Sequence, residues 1–174
     1  NRQLNLTFHV DNGIPYYSLL YKGKIIIEKS RLGFEMKNIP SMVDNFSILK
    51  SSTSAFDETW EPVWGEVKKI RNQYNELEIT LEQGSPKRTV IIRFRLYDDG
   101  LGFRYEFPNQ KNLSYFTIAE EITQFNLGKD YTAFWIRGDY DTNEYNYTTS
   151  LLSEVSHQID AATEEISAQT PTKE

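Results

Sequence analysis

The fold of this chain is decided by RFRLYDDGLGFRYEFP, residues 93–108. Apolar side chains alternate with polar ones on both sides of its centre, at Val90, Ile92, Phe94, Leu96, Phe103, Tyr105 and Phe107. Between the two runs, Asp98-Asp99-Gly100 supplies residue types that tolerate the positive φ of a tight turn. Alternation with a period of two on both sides of such a turn predicts an antiparallel β-hairpin with one buried face.

Similar short runs recur along the rest of the chain, separated by Gly, Asn and Asp turns. They lie at 4–10, 17–21, 25–27, 32–36, 46–49, 77–81, 116–118 and 132–136. Short strands at a spacing of roughly 8–12 residues are typical of an all-β antiparallel sandwich. Only residues 151–166 depart from the pattern. They predict a weak helix, on which Leu152, Val155 and Ile159 would share a face, or an irregular crossover. We therefore predict one sandwich domain over 1–168 and a loop at a truncation point over 169–174.

Composition excludes several classes of function. The net charge of −6 and the absence of a Lys/Arg stripe argue against a nucleic-acid-binding surface. No apolar run approaches the roughly 18 residues that span a bilayer. The chain has no cysteine, which rules out a disulfide framework, a thiolate nucleophile and a cysteine-based zinc site within it. His9 and His157 have no partner at a ligand spacing, so we assign them structural or surface roles.

The acidic segment 139–144, DYDTNE, superficially opens like an EF-hand calcium loop. Oxygen-bearing side chains occupy positions 1, 3 and 5, but Glu144 stands where the sharp turn requires Gly. Position 12 is Ser150, where a bidentate Glu belongs. We reject the EF-hand, and the residue pattern alone indicates a solvated turn.

Three tryptophans, Trp60, Trp64 and Trp135, are candidates for stacking against a sugar ring or for contact with a neighbouring domain. Packing in the core or between domains is the preferred interpretation. The segment 60–66, WEPVWGE, is too rich in rigid and turn-forming residues to be a simple strand, and it predicts a fixed loop against a neighbouring domain. On the opening hairpin, Arg93, Arg95 and Arg104 are expected to form cross-strand salt bridges to Glu106 or Asp98.

Four segments in this order carry a resemblance to a known family. They are FDETWEPVWGE at 56–66, IRNQYNEL at 70–77, the opening hairpin, and FWIRGDYDTNEY at 134–145. Together they resemble the N-terminal domain of glycoside hydrolase family 97, over about residues 4–154. Within the family they are most similar to the calcium-dependent α-glucosidases of starch utilisation.

The resemblance implies a galactose-mutarotase-like super-sandwich that packs on a catalytic (β/α)8 barrel, which is absent from this chain. Glu144 matches a family residue that contributes one ligand to an active-site calcium, and Arg137 departs from the family pattern, which has Pro there. The resemblance also implies a periplasmic location, an oligosaccharide substrate, and acid and base residues on the barrel.

Glu58, Glu61, Glu66 and Glu76 are therefore not predicted to be a catalytic pair, since nothing in the sequence fixes the separation that glycoside hydrolysis needs. On this interpretation the chain alone has no catalytic residue, hydrolyses no glycoside, and holds no cofactor by itself. Two alternatives stay open. One is an α-galactosidase of the same family, and the other is a free-standing carbohydrate-binding or scaffold module.

Overall fold

The computed structural model describes residues 3–138 and 144–159. The chain divides into two compact units, Asn1–Asn126 and Leu127–Glu174. The strands pair antiparallel, which confirms the predicted all-β sandwich. No helix in the described ranges is both long enough and apolar enough to cross a membrane.

The first sheet of the larger unit is a three-stranded meander. Its strands are β1 (Leu4–Asp11), β2 (Ile14–Tyr21) and β3 (Lys24–Arg31), in the order β1-β2-β3. Two tight turns join them, and the central residues of both turns have positive φ: 50° and 79° at Asn12 and Gly13, and 50° and 78° at Lys22 and Gly23. These dihedrals match the right-handed twist of the strands that they connect.

The second sheet has four strands in sequential order. They are β5 (Phe46–Trp60), β6 (Ile70–Gln83), β7 (Arg88–Leu96) and β8 (Leu101–Glu106). The predicted hairpin is confirmed as β7–β8, with Phe94 opposite Phe103. At its turn the Tyr97 N–H donates to the Gly100 carbonyl at 2.8 Å.

The core lies between these two sheets. Phe94 of β7 is fully buried, and its ring centroid lies 6.1 Å from that of Phe8 on β1 and 5.9 Å from that of Tyr17 on β2. Around them pack the other buried apolar side chains, among them Leu4, Leu19, Ile79, Leu81, Val90 and Ile92. Burying each such side chain stabilises the fold by about 1.5–3 kcal/mol before entropy is counted.

A smaller pair of strands completes this unit. They are β4 (Phe34–Lys37) and β9 (Thr117–Glu121), and a single 3-10 turn, Lys111–Leu113, precedes β9. The Phe34 ring lies edge-on to Tyr105 at 4.5 Å and near Phe107 at 5.3 Å. These contacts extend the aromatic core beyond the end of β8.

Two strands are much longer than the sequence predicts. The apolar pattern indicated strands only over 46–49 and 77–81, yet β5 has 15 residues and β6 has 14. Trp60 is the last residue of β5 and pairs with Ile70, so the predicted 60–66 loop begins one residue later. The extra length was missed because the added residues of β5 are all exposed, and the buried ones added to β6 are Tyr74 and the polar Glu76 and Gln83. No period-two apolar pattern results.

In the smaller unit, β10 (Thr132–Trp135) pairs with β11 (Thr148–Leu151). A 3-10 turn, Leu152–Glu154, follows, and residues 155–159 are helical. The predicted helix over 151–166 therefore starts too early, because Leu151 belongs to β11. Residues 160–166 lie outside the described ranges.

Candidate functional sites

The outer ends of β5 and β6 and the loop between them form a long hairpin, residues 56–74, that we call the hairpin arm. Every residue of β5 after Phe46 is exposed. Large apolar side chains are nevertheless concentrated in the arm, and those more than a third exposed are Phe56, Trp60, Val63, Trp64, Val67 and Ile70. The arm is therefore built from residue types that usually lie in a core or an interface.

An ion pair and a ring contact reinforce the pairing of β5 with β6 in the arm. Arg71 donates two hydrogen bonds to the Asp57 carboxylate, from Nε to Oδ1 at 2.8 Å and from Nη2 to Oδ2 at 2.6 Å. The Arg71 hydrogen bonds hold the pKa of Asp57 below its usual value. Farther back, the Phe56 and Tyr74 rings stack at 5.1 Å, which reinforces the register of β5 on β6.

The tryptophans do not lie in the core. Trp60 is 47% exposed and Trp64 is 88% exposed, which rules out the core-packing half of the prediction for both. Trp135 is half-buried, and its Nε1 donates to Ser150 Oγ at 3.1 Å across the β10–β11 pair. Contact with sugar or with a neighbouring domain stays a prediction for all three.

Two adjoining open clefts lie where the arm leaves the sandwich. One, of about 400 Å³, is lined in part by Asp57, Gln73, Tyr97 and Asp98. The other, of about 560 Å³, is lined by residues that include Leu6, Thr53 and Leu77. Both are lined by Ala55, Asn75 and Leu96. The sheet surface at the base of the arm is thus uncovered.

Three arginines and three glutamates form a continuous network on β6, β7 and β8. Its members are Arg93, Arg95, Arg104, Glu76, Glu78 and Glu106, and their formal charges cancel. Arg93 lies at the centre, with Nη1 2.6 Å from Glu76 and 2.7 Å from Glu78, and Nε 3.0 Å from Glu106. Arg95 Nε donates to Glu76 at 2.8 Å, and its guanidinium lies 4.3 Å above the Tyr74 ring.

This arginine–glutamate network confirms part of the salt-bridge prediction and corrects the rest. Arg93 and Arg104 do pair with Glu106, but Arg95 pairs with Glu76 on β6 and not with Asp98. Burial alone would raise the pKa of Glu76, but the hydrogen bonds from Arg95 and Arg93 outweigh it and hold that pKa below its usual value. A carboxylate held ionised between two guanidinium groups is poorly suited to act as a general acid.

The other acidic and histidine candidates are dispersed. Glu58 and Glu66 are exposed on the arm, and Glu61 lies 3.7 Å from Lys69. His9 stacks on Tyr16 at 5.6 Å, in keeping with a structural role. Across residues 3–138 and 144–159, no three His, Asp or Glu side chains are grouped closely enough to hold a metal ion.

A buried polar cluster, which we call the buried clamp, holds the loop before β5. Gln83 Nε2 donates to the carbonyls of Ser41 and Asp44, both at 3.0 Å. Gln83 Oε1 accepts from Arg88 Nε at 3.0 Å, and Arg88 Nη2 also donates to Ser41 O at 3.1 Å. Gln83 is 2% exposed and Arg88 is 1% exposed. This cluster could not be predicted from the sequence, since polar residues at a strand end indicate a surface position.

Glu144 is exposed, at the start of the second described range. Its neighbour Tyr145 lies under the Arg137 guanidinium, 4.7 Å from ring centroid to Cζ. Asp139 and Asp141, the other carboxylates of the acidic segment, lie outside the described residues. Glu144 is therefore exposed, and the aromatic ring of the next residue, Tyr145, makes a cation–π contact with Arg137.

Comparison with known proteins decides the family. The model of the glycosyl-hydrolase 97 N-terminal family matches residues 1–173. The chain belongs to this family. A Glycoside Hydrolase Family 97 enzyme from Pseudoalteromonas sp. strain K8, solved in complexes with panose and with acarbose, is 32% identical with a TM-score of 0.79 in each complex. A beta-arabinopyranosidase is 27% identical with a TM-score of 0.71.

The family 97 chain described here corresponds to a small part of those proteins. It is covered to 85% by the Pseudoalteromonas enzyme and spans 23% of that enzyme's length. For the beta-arabinopyranosidase the two shares are 84% and 24%. The chain therefore corresponds to the N-terminal domain of a glycoside hydrolase of this family.

Proposed function

We propose that this chain is the N-terminal part of a periplasmic, calcium-dependent α-glucosidase that acts on starch-derived oligosaccharides. The likeness to the Pseudoalteromonas enzyme carries the proposal, since that enzyme was solved with panose, an oligosaccharide built of glucose, and with acarbose. In this proposal the chain packs on a catalytic barrel of the same polypeptide. The catalytic acid and base lie on that barrel, outside residues 1–174.

The chemistry of Glu144 fits a role as a calcium ligand. Calcium takes six to eight oxygen ligands, with a preference for carboxylates. Glu144 supplies a carboxylate on an exposed segment, where a neighbouring domain can reach it. One side chain leaves most of the coordination shell to groups outside the described residues, so the site is shared with the barrel.

Calcium bound there would hold sugar hydroxyls and neutralise negative charge close to the reacting bond. The contribution of this chain is to present the Glu144 carboxylate from a fixed scaffold. The β10–β11 pair supplies part of that scaffold, because its strands flank the acidic segment on both sides.

Replacing Glu144 with glutamine in the full-length enzyme tests this role. The change keeps the size and one carbonyl oxygen but removes the charge that a hard cation prefers. We expect weaker calcium binding by calorimetry and a lower rate on nitrophenyl α-glucoside that added calcium partly restores. The fold, followed by circular dichroism, should not change.

Glu120→Gln is the matched control, because Glu120 is an exposed carboxylate of β9 and has no proposed role. Its calcium titration should superimpose on that of the wild type. If the Glu144→Gln curve superimposes as well, Glu144 is not a ligand. The same assays with nitrophenyl α-galactoside and nitrophenyl β-arabinopyranoside decide between α-glucosidase, α-galactosidase and β-arabinopyranosidase activity. The last of these is suggested by the similarity to the beta-arabinopyranosidase.

A free-standing carbohydrate-binding module is the second candidate, and the exposed rings of Trp60 and Trp64 favour it. A flat indole face can stack on a pyranose ring. This candidate requires that maltooligosaccharides perturb the fluorescence of those residues and that no barrel follows in the reading frame. The α-glucosidase proposal expects the reverse on both points.

A further inference from the structure

The hairpin arm exposes more apolar surface than a solvent-facing hairpin needs. Val63 at its tip is 100% exposed, and Val67 is 56% exposed. Trp60 and Ile70 form the last pair of the ladder, so both project from the same face of the ribbon. Large apolar side chains that are exposed together on one element of a protein surface are typical of an interaction site.

The arm is also shaped for contact. The Arg71–Asp57 pair and the Phe56–Tyr74 stack hold its two strands in register, and Lys69 and Glu61 pair across its loop. The charged residues of the arm thus pair partly with one another. A surface held in place before contact loses less conformational entropy when a partner binds.

The residue types point to a protein partner rather than a sugar. Trp60 and Trp64 alone could stack on pyranose rings, but they share the arm with the aliphatic Val63, Val67 and Ile70. Aliphatic side chains offer no flat face to a sugar, whereas a mixture of aromatic and aliphatic groups is typical of the buried centre of a protein interface.

The length of the related enzymes indicates that the partner surface belongs to the same polypeptide. The Pseudoalteromonas enzyme has about three-quarters of its length outside the region that this chain matches, since the chain spans 23% of it. A surface on the same polypeptide is present at a high effective concentration, which a separate partner would have to match.

We propose that the hairpin arm is a docking arm that inserts Val63 and Trp64 into an apolar surface of the same polypeptide outside residues 1–174. The proposal rests on the proposed function, because it requires that a further domain is present. It adds which element of the N-terminal domain makes the contact, and through which side chains. Glu144 plays no part in it.

The rate of cleavage by trypsin tests the docking, because Lys68 and Lys69 lie exposed in the loop of the arm. In native full-length enzyme we expect cleavage at these two lysines to be slow. Val63→Asp should accelerate it by more than about tenfold, since a carboxylate without a partner is strongly disfavoured in an apolar interface. Val63 is fully exposed within this chain, so the substitution should leave the sandwich itself intact.

Tyr115→Asp is the matched control, because Tyr115 is 89% exposed and lies outside the arm. It should leave the cleavage rate at Lys68 and Lys69 unchanged. Fast cleavage of the wild type, or equal rates for Val63→Asp and the control, would overturn the proposal. So would protection that appears only with added maltooligosaccharide, which indicates a glycan, or only at high protein concentration, which indicates a second copy.

The outcome is separable from the test of Glu144. If trypsin cleaves the arm of the wild-type enzyme quickly, while the Glu144 variant shows the expected calcium response, the docking arm is rejected and the proposed function stands. A protected arm in an enzyme that ignores both calcium and α-glucosides rejects the proposed function and leaves the docking arm standing.

Discussion

Replacing Gln83 with leucine should lower the free energy of unfolding by about 3–5 kcal/mol, the largest effect that we expect from one substitution. Leucine has a similar volume but can neither accept from Arg88 nor donate to the carbonyls of Ser41 and Asp44. The Arg88 guanidinium would then remain buried with fewer acceptors. Burial already disfavours its charged form and lowers its pKa, so the loss of an acceptor adds to that cost. Urea unfolding followed by circular dichroism measures the loss.

Two further variants give this prediction its controls. Gln73→Leu, at an exposed position of the same strand, should change the free energy of unfolding by less than about 0.5 kcal/mol. Gln83→Leu combined with Arg88→Met should recover part of the loss, because apolar replacement of a whole buried polar cluster is often tolerated. A Gln83→Leu protein as stable as the Gln73→Leu protein would show that the clamp does not hold the loop.

Replacing Glu76 with glutamine should lower the free energy of unfolding at pH 7 by about 2–3 kcal/mol. The neutral amide cannot neutralise Arg93 and Arg95, which both donate to the Glu76 carboxylate. The estimate is below the range for a fully buried pair, because the Arg95 side chain is 34% exposed and Arg93 keeps Glu78 and Glu106.

The same network predicts a dependence on pH. The folded-state pKa of Glu76 and that of Glu106 both lie below the ordinary value, so both groups stabilise the fold above the unfolded pKa of about 4.3. That stabilisation is lost as pH falls through the lower, folded-state pKa. The difference between wild type and Glu76→Gln should therefore shrink in acid. A difference that stays constant between pH 7 and pH 3 would mean that the charge of Glu76 contributes nothing.

The sandwich could be predicted from the sequence wherever one face of a strand is buried. Phe94 and Ile92 alternate with Arg93 and Arg95 because one face meets the core and the other meets solvent, and β7–β8 was predicted for that reason. The outer half of β5 could not, because Ser51 to Ser54 are exposed on both faces and no alternation results.

Polar partners were predictable only within a local hairpin. Arg93 and Glu106 lie diagonally across the two strands of one hairpin, and their pairing was foreseen. The partner of Arg95 is Glu76 on β6, whose register is set by the whole sheet rather than by a turn. The buried clamp depends on the path of the loop around Ser41, which no sequence pattern reports.

The prediction that Glu144 is a calcium ligand depends on the family resemblance more than on the residues themselves. The spacing within 139–144 fits neither an EF-hand nor any other complete cage, so only the resemblance singles out Glu144. Asp139 and Asp141 precede it closely in the sequence and lie outside the described residues. The role of Glu144 therefore depends on groups that lie beyond the described part of this chain.

A crystal structure of the full-length enzyme grown with calcium tests the central claim most directly. Our account predicts an anomalous calcium peak with a Glu144 carboxylate oxygen at roughly 2.3–2.6 Å, and with carboxylates from outside residues 1–174 completing the shell. A calcium ion bound without Glu144, or a Glu144 side chain directed into solvent while the active site is occupied by substrate, would contradict it.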